Sequence, residues 1–586
     1  MRRFSILPAA ICAALGVVAG AQAAAETPVQ IEGADEATRE AILELLPERD
    51  SPDSLFDAER IAEEAAARAR VWLRSEGYYA ATVTPEASDA PPLARLVIAP
   101  GARFRFAPPL LTFANAPPDP QTSAAAQAAL SALADGGAAR AAAVLEAERA
   151  ILAALQTHGY ADATIGERRV VVDHATSTVS VELRFDAGAR VRLGGIRAAP
   201  AEVLRSGFVD DLQSWERGDA YTPEALARLR RDLAATGAIS RVSTTLDPPD
   251  NDGLRDVVLE VEPSHRNAYE FGLSASTIDG AGLEAEWTRR NATARADTVS
   301  VSATLAEQQQ DITAEWLRPH AAGLGHGVTF GAALEREDLD AFSRQSVALN
   351  ASVDASSRLR LGRSYGVRLS ADRFDDLAGG VTDALVLSGF AGLRYDTTEF
   401  LLDPRDGAIL DLRIEPSIST GDETLVFSRA IAEARGYESF GSDDSMTLAA
   451  RIRAGWLAAL SGDANDAPAD RRFYAGGGGS VRGYEFNSIY PEERDLAGLT
   501  PGGDGLLEGS VELRWRFHDR WGAAAFIDGG TAFDEWGDAT DLSYGVGVGV
   551  RYDLGFAPLR VDVAVPLDDD EASDDYALYV SLGQAF

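Results

Sequence analysis

The chain has 586 residues, of which 46% are hydrophobic and 25% charged, a balance that predicts folded domains and not disorder. Acidic residues number 91 against 54 basic ones, for a net charge of −37, and every basic residue is Arg. The absence of Lys excludes a Walker-type phosphate loop and a Schiff-base enzyme, and the acidic excess argues against nucleic acid as a partner.

Residues 1–23 read as a secretory signal peptide. Arg2 and Arg3 form a basic start, an apolar run covers 4–20, and Ala21-Gln22-Ala23 places small residues at cleavage spacing. The run is too short for a membrane anchor. The single cysteine, Cys12, lies inside this leader. Its removal leaves no thiol for disulfides, thiolate metal sites or cysteine nucleophiles. No later apolar run is long enough to cross a bilayer as a helix.

Between residues 29 and 263 one pattern repeats three times: a short strand, two helical segments, then two strands. The first unit places strands at 29–33, 78–85 and 93–100 and helical periodicity at 36–46 and 55–75. The second places strands at 104–113, 160–172 and 180–186 and helices at 121–133 and 138–158. The third places strands at 191–198, 238–246 and 255–262 and helices at 201–208 and 223–236. Each second helix ends at a glycine, Gly77, Gly159 or Gly237, which suits a left-handed helix cap. The sequence Gly-Ala-Arg recurs at 101–103 and 188–190, where one unit hands over to the next. Domain boundaries follow at 24–103, 104–187 and 188–264. The units resemble POTRA domains, periplasmic α+β modules, and that resemblance implies an exposed sheet edge able to accept a partner strand.

From residue 265 to 586 the helical period stops and alternating segments follow, separated by Gly, Asp, Asn and Ser. Eleven segments precede Gly462 and five follow it. Sixteen strands is an even number, as bacterial transmembrane barrels require. Connection lengths alternate near the end of the chain: long acidic loops at 534–541 and 568–575, short turns at 518–520 and 555–557. That is the pattern of outer loops and periplasmic turns. In the last segment Tyr576, Leu578, Val580, Leu582 and Phe586 share one parity, for lipid, and small residues with Tyr579 occupy the other, for the lumen. The fold class expected is therefore multidomain: three α+β modules followed by an all-β, sixteen-stranded transmembrane barrel.

Four motifs carry a second resemblance. Val481-Arg482-Gly483-Tyr484 follows a run of four glycines in the longest connection, where a sharply bent loop is needed. Glu512 lies in a strand reading Glu508-Gly-Ser-Val-Glu-Leu-Arg-Trp515, and Phe526-Ile-Asp528-Gly-Gly530 follows on the next. Tyr395-Asp396 precedes Asp403-Pro404-Arg405-Asp406-Gly407. Together they resemble the outer-membrane assembly-factor superfamily that includes BamA, TamA and the two-partner secretion translocators. Alternation alone turns Glu512, Arg514, Arg516, Phe526 and Asp528 to the lumen, where an inserted loop would bring Arg482 to carboxylates. The resemblance implies that Arg482 locks onto Asp528 and Glu512. It further implies, through the module count, a TamA-like branch that helps β-rich clients such as autotransporters insert, with a TamB-like partner docking on the modules. Location in the outer membrane with the modules in the periplasm is the matching expectation.

The first barrel strand, near 268–276, is expected to close against the last, 576–586. Gly583 within that strand weakens the seam formed with Tyr576 and Phe586, so a lateral gate is expected there. No enzyme, cofactor or metal is expected: the six His form no ligand pair, and no G-x-S-x-G elbow is present. A two-partner translocator and a passive porin-like channel are the alternative readings.

Overall fold

The computed structural model describes residues 29–47, 49–276, 280–339, 342–356, 360–375, 381–400, 402–421, 424–491, 493–496, 499–555, 557–567 and 576–586. The signal peptide at 1–23, with Cys12, and the acidic loop at 568–575 lie outside the described residues. The chain divides into two compact units, one of Met1–Arg192 with Asp219–Glu224, the other of Leu193–Gly218 with Ala225–Phe586.

The first unit opens with β1 (Val29–Glu32), α1 (Glu36–Glu44), α2 (Leu55–Ser75), β2 (Thr82–Asp89) and β3 (Pro92–Ala99). The sheet order is β1-β3-β2, with β1 parallel to β3. Helix α2 starts where the Ser54 hydroxyl accepts from the Asp57 amide. It buries Ala58, Ile61, Ala62, Ala65, Ala69 and Leu73, a helical stripe of mostly small residues that seats it close to the sheet. The same order follows in β4 (Arg105–Phe106), β5 (Leu110–Phe113), α3 (Pro120–Ala128), α4 (Ala141–Thr157), β6 (Thr164–Asp173) and β7 (Thr178–Asp186). Here β7 is central, with β4 and β5 along one side and β6 on the other. The strand expected over 104–113 is thus two short strands. The strands expected to open at Tyr78 and Tyr160 open four residues later. Each helix closes through a glycine in the left-handed region, Gly77 (φ 96°) or Gly159 (φ 101°), and one further turn precedes the strand.

The second unit begins with β8 (Arg192–Ala199), α5 (Ser206–Asp211), α6 (Pro223–Ala234), β9 (Ile239–Leu246) and β10 (Leu254–Pro263), in sheet order β8-β10-β9. A closed antiparallel barrel follows. Its strands are β11 (Asn267–Ser276), β12 (Gly280–Arg290), β13 (Thr298–Ala306), β14 (Gln309–Arg318), β15 (His326–Asp338), β16 (Ser343–Ser356), β17 (Leu361–Asp375) and β18 (Val381–Asp396). Then come β19 (Gly407–Thr420), β20 (Thr424–Phe440), β21 (Met446–Ser461), β22 (Gly505–Arg516), β23 (Trp521–Phe533), β24 (Ser543–Asp553), β25 (Pro558–Pro566) and β26 (Ala577–Leu582). All sixteen segments read from alternation are strands. Their outward faces carry exposed Val347, Leu349, Leu369, Leu387, Ile452 and Ile527, the surface a bilayer covers. Among the described residues no helix is long and apolar enough to cross a membrane.

Two expectations about the last strand are corrected. β26 is Ala577–Leu582, so Tyr576 precedes it and Gly583 and Phe586 lie beyond it. Gly583 sits at φ 84°, where the chain leaves the wall and turns inward. Phe586 is therefore not lipid-facing. Its ring packs inside the barrel on Ile409, Tyr437 and Ala449, with the guanidiniums of Arg451 and Arg514 5.7 and 5.6 Å from its centre. The turn is held by the Gln584 amide donating to the Leu402 carbonyl (3.1 Å) and the Gln584 side chain donating to Asp403 (2.9 Å).

Candidate functional site

Residues 462–504 join β21 to β22 and fold into the lumen. The neck of this loop is closed by reciprocal backbone hydrogen bonds between Phe473 and Gly503 (2.9 and 2.8 Å), and one step further in between Ala475 and Ile489. Gly476, Gly477 and Gly483 all have positive φ, between 96° and 109°, and this bends the tip. The four-residue motif then spreads over different surfaces. Val481 enters an apolar cluster with Phe427, Leu457, Phe473 and Leu506. The Gly483 amide donates to the Tyr579 hydroxyl at 3.1 Å, and the Tyr484 hydroxyl donates to the Tyr544 carbonyl at 3.3 Å.

Arg482 is 2% exposed and makes the central contacts. Its Nε and Nη2 donate to the two oxygens of Asp528 at 2.6 and 2.9 Å, a bidentate grip, and its own amide donates to the same carboxylate at 3.2 Å. Nη1 reaches Glu512 at 2.9 Å and Asp562 at 3.3 Å. The guanidinium lies over the Phe526 ring, 3.3 Å from its centre. Every residue read from the sequence as part of this lock, Val481, Arg482, Gly483, Tyr484, Glu512, Phe526 and Asp528, is therefore gathered at one place. Tyr576, Gly583 and Phe586 are not part of it.

Sequence reasoning missed Asp562 on β25 and the cations beyond it. Glu512 also accepts from Arg514 (2.8 Å) and Arg551 (3.4 Å), and Asp562 pairs with Arg551 and Arg560. Among the described residues Asp528 has Arg482 as its one cation, with the Ser510 hydroxyl donating beside it. The signal for Asp562 was present in its neighbour β24. Gly545, Gly547 and Gly549 alternate there, and all three face the lumen. A Cβ on Gly545 would lie 1.9 Å from the Arg482 carbonyl oxygen, on Gly547 2.2 Å from the Phe526 ring, and on Gly549 1.8 Å from an Asp562 oxygen. A strand that gives up three successive inward side chains is making room for something large.

The barrel seam is the second functional feature. β11 pairs with β12 along its whole length, Asn267 to Ser276. On its other side, among the described residues, it pairs with β26 at two positions, Ala275 with Val580 and Ser276 with Tyr579. The edge of β11 from Asn267 to Ser274 has no strand partner on that side among the described residues.

Comparison with known proteins agrees with this architecture. The Omp85 superfamily domain matches residues 269–586. The outer membrane protein assembly factor BamA of Nitratidesulfovibrio vulgaris is 26% identical over 390 residues, which are 63% of this chain and 48% of that protein. The chain thus spans about half the length of this curated relative. The crystal structure of BamA from Haemophilus ducreyi lacking POTRA domains 1–3 has a similar fold, with TM-score 0.69 at 15% identity over 82% of this chain and 100% of that one. CdiB from Escherichia coli aligns with TM-score 0.46 and 16% identity over 94% of this chain and 99% of its own. With the family domain matching the whole barrel, the chain belongs to the Omp85 superfamily and is an outer-membrane β-barrel protein with periplasmic α+β modules.

Proposed function

We propose that this protein is a non-enzymatic assembly factor of the TamA type, which inserts unfolded β-rich clients such as autotransporters into the outer membrane through its seam. The observation that carries the reading is that, among the described residues, β11 pairs with β26 at two positions and leaves its edge from Asn267 to Ser274 without a strand partner. In hydrocarbon an unpaired strand edge has no water to turn to, so the free edge of β11 is a template for a client strand. Every second residue of a client strand added there satisfies backbone groups that the closed seam leaves open. The locked loop keeps β22, β23 and β25, the strands leading up to the seam, together while this happens.

The same reading places a TamB-like partner on the modules. β6 supports a docking edge: it is ten residues long, nine of them exposed, and it pairs along one side with β7. An extended segment of the partner would add to its other side.

The test is a pair of cysteines at Ala275 and Val580, which face each other across the seam. Oxidation should abolish client assembly and reduction should restore it. Assembly by the cross-linked protein at the rate of the reduced one overturns the reading.

A further inference from the structure

A polar row crosses the outer face of the barrel near the ends of five strands. Gln310 on β14 stands opposite Arg336 on β15, Arg336 opposite Gln345 on β16, Gln345 opposite Arg373 on β17, and Arg373 opposite Asp383 on β18. Directly beneath runs an apolar row in the same register: Ile312, Leu334, Val347, Ala371 and Leu385. Both rows line a groove of about 860 Å³. The ten side chains of the two rows share the parity of the lipid-facing surface, so they present the groove to the bilayer, while Asp311, Glu335, Ser346 and Asp372, of the lumen-facing parity, border it from behind.

The height of the polar row is fixed by the strands themselves. On β17 the outward residues between Arg363 and Arg373 are Tyr365, Val367, Leu369 and Ala371. Ten residues of strand span about 33 Å, and with the usual tilt project to about 25 Å, the height of a barrel's apolar band. The same ten-residue spacing separates His326 from Arg336 on β15. Arg336 and Arg373 therefore lie at headgroup level. The strand ends near them are on the side of the loop at 462–504, opposite the barrel end at which β10 runs into β11, which is the outer leaflet.

The two arginines have spare donors. Among the described residues the Arg336 side chain has no hydrogen-bond or ion-pair partner. Arg373 is oriented by Asp383, which accepts from its Nε (2.8 Å) and Nη2 (3.2 Å), and among the described residues its Nη1 has no partner. Asp338 and Asp375 stand one alternation further out, on the same parity. They make the solvent side of the row acidic, so an anion is held at the arginines and not beyond them.

We propose that this groove binds a phosphate-bearing lipid of the outer leaflet. Its phosphate engages Arg336 and Arg373, the Gln345 amide between them donates to the headgroup, and its acyl chains lie over Leu334, Val347 and Leu385. Arginine suits this role because its planar donors match phosphate oxygens. The continuity of the apolar row with the lipid-covered belt selects a lipid and not a soluble anion or a protein strand. The proposal stands independently of the seam reading.

The experiment is native mass spectrometry of the full chain released from detergent, titrated with a phosphatidate and, separately, with a phosphatidylcholine of the same acyl chains. One phosphatidate should be retained in preference to phosphatidylcholine. Arg336→Gln with Arg373→Gln should weaken retention about tenfold or more, the loss of two charge-assisted contacts. Arg363→Gln, at the opposite end of the same outward stripe, should leave it unchanged. Arg336→Gln alone removes no contact among the described residues and keeps the test open if the double variant misfolds. The proposal is overturned by wild-type retention in these variants, by an equal loss in Arg363→Gln, or by displacement of phosphatidate with inorganic phosphate alone.

Discussion

Asp528 and Glu512 look equivalent from the sequence, since both are lumen-facing carboxylates near the loop tip, yet their dependence on Arg482 differs. Glu512 keeps Arg514 and Arg551 when Arg482 is removed, and Asp562 keeps Arg551 and Arg560. Asp528 keeps no cation among the described residues. Arg482→Ala should therefore destabilise the barrel by about 3–5 kcal/mol, the range for breaking a buried ion pair. Adding Asp528→Asn should recover part of that loss, whereas Glu512→Gln should not. Melting of the barrel on a heat-modifiability gel measures both. A shift no larger than that of an exposed Arg→Ala would show the lock to be energetically idle. A second residue-scale prediction concerns Asp119, which caps α3. The Thr122 hydroxyl and amide and the Tyr160 hydroxyl donate to its carboxylate and hold its pKa at about 2, below the ordinary 3.8. A lowered carboxylate pKa contributes stability that is full above the ordinary value and is lost as pH falls from 3.8 through about 2. Amide exchange in α3 should accelerate over that window in the natural protein, and Asp119→Ala should show fast exchange already at neutral pH.

The long loop is an element with two attachments. Its tip is held by β22, β23 and β25 through Arg482. Nearer its start, Asp470 accepts from Arg344 on β16 at 3.0 Å, and Arg344 also serves Glu335, Glu337 and Asp372 at 2.7–3.1 Å. The adjoining Arg471 donates to Glu415 on β19 (3.3 Å) and to the Ser370 hydroxyl on β17 (3.2 Å). Either attachment alone should keep the loop inside. Trypsin, which cuts after Arg in a chain without Lys, should spare the loop in Arg482→Ala and in Arg344→Ala with Arg471→Ala, but cleave it when all three are replaced. Full cleavage in Arg482→Ala alone would show that the second attachment holds nothing. The sequence made the strands and the tip legible, but not this second attachment. Alternation tells which way Arg344 and Glu415 face. It does not tell which strand lies opposite a given stretch of loop, because that depends on register and on the path of 43 residues across the lumen. The inward turn at Gly583 was hidden for a related reason: Phe586 keeps the parity of a lipid-facing residue, and only the φ of a single glycine removes it from the wall.

In the molecule as a whole, the two compact units have separate cores. The clusters around Phe104, Leu133 and Phe185, and around Ile42, Leu73 and Leu96, contain no barrel residue. Arg482→Ala should consequently lower the barrel transition and leave the unfolding of Met1–Arg192 unchanged, which calorimetry of the full chain can resolve as two events. The seating of the loop tip has a last consequence, for the order in which the barrel is made. Arg482 and its neighbours touch β22, β23 and β25, and the Gly483 amide bonds to Tyr579 on β26, the strand that closes the ring. A complete wall offers the tip no sideways route into this nest, and the bare glycine stripe on β24 would otherwise border an unfilled hole. Seating of the tip and closure of the ring should therefore be coupled, because β26 gains its Tyr579 contact only once the tip is in place.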